Sequence, residues 1–167
     1  CEPTQGLILL GGLSPHYQWD DEAVLEQVAS IVKTCPEGRF VLSDSRRTPI
    51  GLMEKLASRR LANLALVPHQ QTAPGWVQQQ LGLSHSVWVS EDSVSMVYEA
   101  ITSGAAVGLI SLPVSHSGRI SKGIKQLIEE AWLTPYAQWK KTGVLTHPPG
   151  AFNEASRCAD WLVDQWL

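Results

Sequence analysis

The feature that most limits what this chain can fold into is a repeated alternation of short apolar runs with amphipathic stretches. The first run, Gly6 to Leu10 (GLILL), has no polar residue and stops at Gly11 and Gly12. A run of that length bounded by glycines reads as a strand covered on both faces. After a loop, LSPHYQW, the period changes. Asp20, Asp21 and Glu22 put negative charge at a helix start, Val24, Val28 and Ile31 keep one face apolar, and Lys33 precedes the stop at Cys35 and Pro36.

The same unit then recurs. Arg39 to Ser43 (RFVLS) predicts a strand, Asp44 to Arg47 a polar turn, and Thr48 and Pro49 the cap and first residue of a helix running to about Arg60. Leu64 to Val67, Ser86 to Ser90 and Ala105 to Ser111 predict further strands. Helices are expected at Gly75 to Leu81, Ser93 to Ser103, Ile120 to Trp132 and Phe152 to Trp166. Strands alternating with helices imply a parallel sheet with right-handed crossovers. The expected class is α/β, a doubly wound, Rossmann-like sheet. Its 167 residues suit one domain, and no repeat, low-complexity segment or internal boundary divides them.

Composition excludes some classes of function. Hydrophobic residues make up 44% and charged residues 17%, ordinary globular usage. A net charge of -3 gives no global reason to expect DNA, RNA or an anionic bilayer as partner, although a local anion site stays open. Cys1, Cys35 and Cys158 are widely separated and odd in number, so reduced, mostly buried thiols are expected rather than a disulfide framework or zinc site. A start at Cys1 followed at once by a strand suggests a piece of a longer protein. A mature lipoprotein also begins with Cys, but nothing linker-like follows here.

In an open parallel sheet, ligands gather at the carboxyl ends of the strands. One such end, SEDSVSMVYEA (Ser90 to Ala100), combines several nucleotide-suited features. Val94, Val97, Tyr98 and Ile101 form a buried stripe, whereas Ser95 and Glu99 share another face. Hydroxyls of Ser93 and Ser95 and the first helical amides suit a diphosphate, and Glu99 one turn on suits the vicinal hydroxyls of a ribose. The plainer alternative is a capping Asp92 or Ser93 and a solvated Glu99.

The segment Val87 to Leu112, VWVSEDSVSMVYEAITSGAAVGLISL, resembles the signature of the mitochondrial-fission ELM family, which has many bacterial members. Its helix is similar to the donor-binding helix of GT-B glycosyltransferases such as the N-acetylglucosaminyltransferase of lipid II synthesis. GGLSPHYQWDD (Gly11 to Asp21) and SDSRRTP (Ser43 to Pro49) are similar to two further family motifs, in the same order. The resemblance extends to about Leu133. It implies the C-terminal half of a two-domain GT-B protein, with residues 1–167 as the nucleotide-sugar-binding domain. By position, Glu99 would bind ribose, Ser93 and Ser95 phosphate, and Gly11, Gly12 and Ser14 would lie against the diphosphate. Pro15 and His16 depart from the small or flexible residues usual in the glycosyltransferase loop, implying a different phosphate geometry or sugar.

Other residues are weighed on their own chemistry. The chain has no G-x-G-x-x-G, which argues against NAD. His16 has the titration range for a phosphate donor or general acid, the one catalytic candidate, but a histidine packed on Trp19 or Tyr17 explains it equally. Arg46 is the better phosphate ligand of the Arg46–Arg47 pair, since neighbours do not both face one site easily; a salt bridge to Asp44 or an exposed basic turn is the alternative. Arg119, Lys122 and Lys125 hint at an anionic partner or form a solvated face. His69, His85, His116 and His147 lack metal-ligand spacing, so no metal is expected. Trp132, Trp139, Trp161 and Trp166 suit core packing or contact with the missing domain.

The expected function is therefore donor binding in a metal-independent glycosyltransferase, with a nucleotide-sugar of UDP type as substrate, no cofactor, and the acceptor base in the missing N-terminal domain. A nucleotide-sugar 2-epimerase and a non-catalytic interaction module are the alternatives. The expected location is the cytoplasm, with contact at the inner membrane only through a lipid acceptor.

Overall fold

The computed structural model describes residues 4–153. Six strands form one parallel sheet: β1 (Gln5–Leu9), β2 (Arg39–Ser43), β3 (Leu64–Leu66), β4 (Ser86–Ser90), β5 (Ala106–Ile110) and β6 (Thr134–Pro135). Their spatial order is β3-β2-β1-β4-β5-β6. The helices between them are α1 (Asp21–Thr34), α2 (Leu52–Ser58), α3 (Trp76–Leu83), α4 (Val94–Thr102), α5 (Arg119–Glu129) and α6 (Tyr136–Thr142).

The two-residue period of a strand explains the two cores. Ile8, Leu10, Leu42, Trp88 and Ile110 face one side, where Val24, Val28, Ile31 and Val32 of α1, Leu52 and Leu56 of α2 and Trp139 of α6 cover them. Leu7, Leu9, Val87, Val89, Val107 and Leu109 face the other, against Val97, Ala100 and Ile101 of α4 and Ile124 and Leu127 of α5. Burial on both faces is why the strand sequences lack polar alternation. Gly108 makes room for the Trp88 ring, which an added Cβ would meet at 2.5 Å. Trp88 in turn stacks edge-on against Trp139, with ring centroids 5.1 Å apart.

Local signals mostly act as expected. Asp20 caps α1, its side chain accepting a hydrogen bond from the Ala23 amide. The helix predicted from Thr48 instead begins after Gly51, whose φ of 91° favours glycine. Thr48 is diverted because its hydroxyl donates to the Gly11 carbonyl and accepts from the Ser45 amide. Strand β6 and helix α6 were not expected from the sequence; Pro135 at their junction hides the two-residue strand. Trp139, expected to pack, is buried in α6. The predicted helix from Phe152 to Trp166, with Trp161 and Trp166, lies outside the described residues beyond Asn153. Cys35 is disulfide-bonded, which corrects the expectation of a reduced thiol there. Among the described residues no helix is long and apolar enough to cross a membrane.

Candidate functional site

Chain direction in the sheet reverses its spatial progress between β1 and β4. That switch point is where α/β sheets of this order open a crevice at their carboxyl edge. Here the crevice is bridged by hydrogen bonds. The Gly11 amide donates to the Ser90 hydroxyl at 2.8 Å and the Gly12 amide to Asp92 Oδ2 at 2.8 Å. Asp92 Oδ2 also pairs with Arg47 Nη1 at 2.9 Å, and the same Nη1 donates to the Leu13 carbonyl at 3.1 Å. The Leu13 amide donates to the Arg47 carbonyl, and Ser45 donates its hydroxyl to the Gly11 carbonyl. The loops after β1, β2 and β4 are thus one interlocked platform.

The glycines permit this closeness. A Cβ on Gly11 would stand 2.1 Å from Asp92 Oδ2, and one on Gly12 would stand 1.9 Å from the Arg47 carbonyl oxygen. The Asp92 side chain is 0% exposed, and its Oδ1 has no hydrogen-bond partner among the described residues. Arg47, at 43% side-chain exposure, keeps its charge partly in water. A double-mutant cycle of Arg47→Met and Asp92→Asn should give a coupling of about 1–3 kcal/mol in urea unfolding, between the exposed and buried ion-pair limits. A coupling of zero would mean that the Gly12 amide alone holds the carboxylate.

Next to Asp92, Glu91 is wedged under the loop that follows β5. Burial pushes its carboxyl up to about 7, against hydrogen bonds with Ser111 and the Leu112 backbone, while the Asp92 charge raises it further. The same two acids act on Tyr17, whose phenol burial raises to about 12 and whose hydroxyl has no partner among the described residues. Gln27 of α1 fixes the end of β5 by a two-way amide contact with the Ser111 backbone, at 2.9 and 2.8 Å.

The residues expected at a site are placed as follows. Gly11 and Gly12 adjoin the α4 entrance, but their amides serve Ser90 and Asp92. Ser14 accepts from the His16 amide, turning its hydroxyl back onto its own loop. The His16 backbone carbonyl accepts from Ser115, tying this loop to the one after β5. Ser93 is buried as the residue before α4, and Ser95 is exposed in its first turn. Glu99 is exposed and approaches Gln78 Nε2 of α3 at 3.5 Å. With Gln78, Leu81, Gly82, Tyr98, Thr102 and Ser103 it lines a cavity of about 410 Å³ between α3 and α4. Arg46 lines a different cavity, with no residue in common.

Four charged residues take more prominent places in the structure than their sequence positions suggest. Asp92 and Glu91 look like ordinary loop acids, although their place between a buried strand and a serine-rich helix start was a usable signal. Arg47 rather than Arg46 is the guanidinium bound into the platform. Asp44 pairs with His69, at 2.9 Å from Nδ1, and not with an arginine. Among the described residues, no three His, Cys, Asp or Glu side chains gather as metal ligands.

The fold and its carboxyl-edge platform define a Rossmann-like α/β domain of the kind that carries ligands at a topological switch point. The chain belongs to the family described as Mitochondrial fission ELM1, whose sequence pattern it matches over residues 1–166. A search of curated proteins finds no match. Among solved structures, the chain is similar to the apo-form glycosyltransferase GlyE of Streptococcus pneumoniae TIGR4, with 15% identity and a TM-score of 0.48. That likeness covers 83% of this chain and 31% of the GlyE chain. A likeness of this size assigns neither activity nor ligand.

Proposed function

We propose that this domain binds the nucleotide-diphosphate-sugar donor of a glycosyl-transfer protein of the GT-B type. The observation that carries the reading is the start of α4. It opens at the carboxyl edge of the sheet, directly beside the glycine platform, and presents Ser95 in a first turn whose amides have no carbonyl to serve. Gly11 and Gly12 contribute by letting the loops after β2 and β4 close into the platform beside α4, while donation falls to Ser95 and the α4 amides. Glu99 would accept from the ribose in the cavity between α3 and α4. Ser14 and Ser93 are then supports of the loops that frame the ligand, and His16 is the group nearest in sequence able to move a proton. The donor would be of UDP type, bound without metal. The base that activates the acceptor would belong to an N-terminal domain outside this chain, leaving a lipid acceptor as the route to a membrane surface.

Calorimetry with UDP, CDP and UDP-sugars tests the reading. UDP or a UDP-sugar should bind, and Glu99→Gln should weaken it roughly 10- to 100-fold, the effect of losing hydrogen bonds to a charged acceptor. Failure of all three to bind both this chain and the full-length protein would remove the proposal. A non-catalytic interaction module is favoured by one specific observation: both glycine amides are already occupied and two acids sit behind them. In that case Glu99→Ala would leave cellular function unchanged.

A further inference from the structure

The carboxyl ends of β2 and β3 enclose a second cavity, of about 560 Å³, which the nucleotide reading of α4 does not use. That volume is in the range of pockets for small organic ligands. Its walls mix apolar surface from Pro49, Ile50, Met53 and Pro68 with the charged groups Asp44, Arg46, Glu54 and His69.

The charged groups are unequally committed. Asp44 Oδ1 accepts from the His69 backbone amide at 2.8 Å and lies 2.9 Å from ring Nδ1. The residue is therefore held once through its backbone amide and once through its ring, with Nδ1 facing the carboxylate and Nε2 left for other partners. Asp44 is 11% and His69 27% exposed at the side chain, so the pair is part of the cavity wall. Arg46 lines the same cavity and makes no hydrogen bond or ion pair among the described residues. Glu54 lies within the same lining yet forms no ion pair with it. A fixed imidazole and an unengaged guanidinium come from two different loops. With the ring in its imidazolium form, Nδ1 donating to Asp44 and Nε2 to the ligand, the two offer donors to several oxygens of one tetrahedral anion, whereas a carboxylate would be satisfied by the guanidinium fork alone.

We infer that this cavity binds the phosphoryl group of a small phosphorylated molecule, held by Arg46 and by His69 Nε2, with Asp44 as the positioning residue that sets the imidazole. The inference does not need the donor-binding reading of α4. It is carried by the dyad, the unengaged arginine and the cavity they share.

The test uses the whole chain with isotope-labelled histidine, titrated with inorganic phosphate and with glucose 1-phosphate. The His69 ring nitrogen signals should shift saturably with both, and not with glucose or acetate. Arg46→Gln and His69→Gln should each weaken binding about tenfold or more while unfolding at an unchanged midpoint, as expected for loss of one charge-assisted hydrogen bond. Arg119→Gln should change nothing. Unmoved His69 signals, or binding equally strong in Arg46→Gln and His69→Gln, would overturn the inference. Because the two cavities share no residue, Glu99→Gln should leave phosphate and glucose 1-phosphate binding unchanged; loss of that binding in Glu99→Gln, with Arg46→Gln and His69→Gln without effect, would place the anion at α4 and overturn the inference.

Discussion

Gly12→Ala is expected to destabilise the domain by more than about 3 kcal/mol, because the new methyl forces overpacking and separates buried polar partners at the same time. The added carbon would lie 1.9 Å from the Arg47 carbonyl oxygen and 2.4 Å from the Thr48 amide nitrogen, both backbone atoms that cannot swing aside. Moving the loop to relieve the clash would strand the Gly12 amide and Asp92 Oδ2, now 2.8 Å apart, and leave a carboxylate with no exposed surface short of a donor. The measurement is urea unfolding, with Gly82→Ala as control. Gly82 lies within α3 with nothing within 4 Å of an added Cβ, so alanine there should stabilise by about 0.5–1 kcal/mol. Equal, small effects from both substitutions would show that the interlocked loops yield freely.

A pH dependence follows from Glu91. Its carboxyl titrates near 7 when folded, against 4.5 ordinarily. Below about pH 4.5 it is neutral in both states and costs nothing. Between 4.5 and 7 the unfolded chain releases the proton while the folded chain keeps it, so this residue makes stability fall as pH rises, levelling off above 7. The full span corresponds to about 3 kcal/mol as an upper figure. Glu91→Gln should therefore flatten the unfolding free energy over that window and stabilise the protein at pH 8. A wild-type slope unchanged by the substitution would assign the pH dependence elsewhere.

The strands were legible because burial on both faces leaves a continuous apolar mark, which is why Arg39–Ser43 and Ser86–Ser90 were bounded to the residue. Elements defined by long-range partners were not. Thr48 carries a cap's chemistry, yet its hydroxyl is claimed by Gly11, 37 positions earlier in the chain. The two residues of β6 are too few to show a period. The candidate site followed the same rule. Glycines and serines marked the loops, since their types report local backbone needs. Which arginine would bind an acid, and which acid would bind His69, depended on neighbours brought together by the sheet and invisible to spacing. Glu99 was read from helical phase, which fixes its face on α4, but phase does not say that α3 lies opposite.

Because the turns after β1, β2 and β4 are tied by shared donors and acceptors, they behave mechanically as one slab. A molecule settling there meets a surface already set, so little flexibility is surrendered on contact. Association should then proceed in a single kinetic phase, and a disturbance at any one of the three turns should be felt across the others.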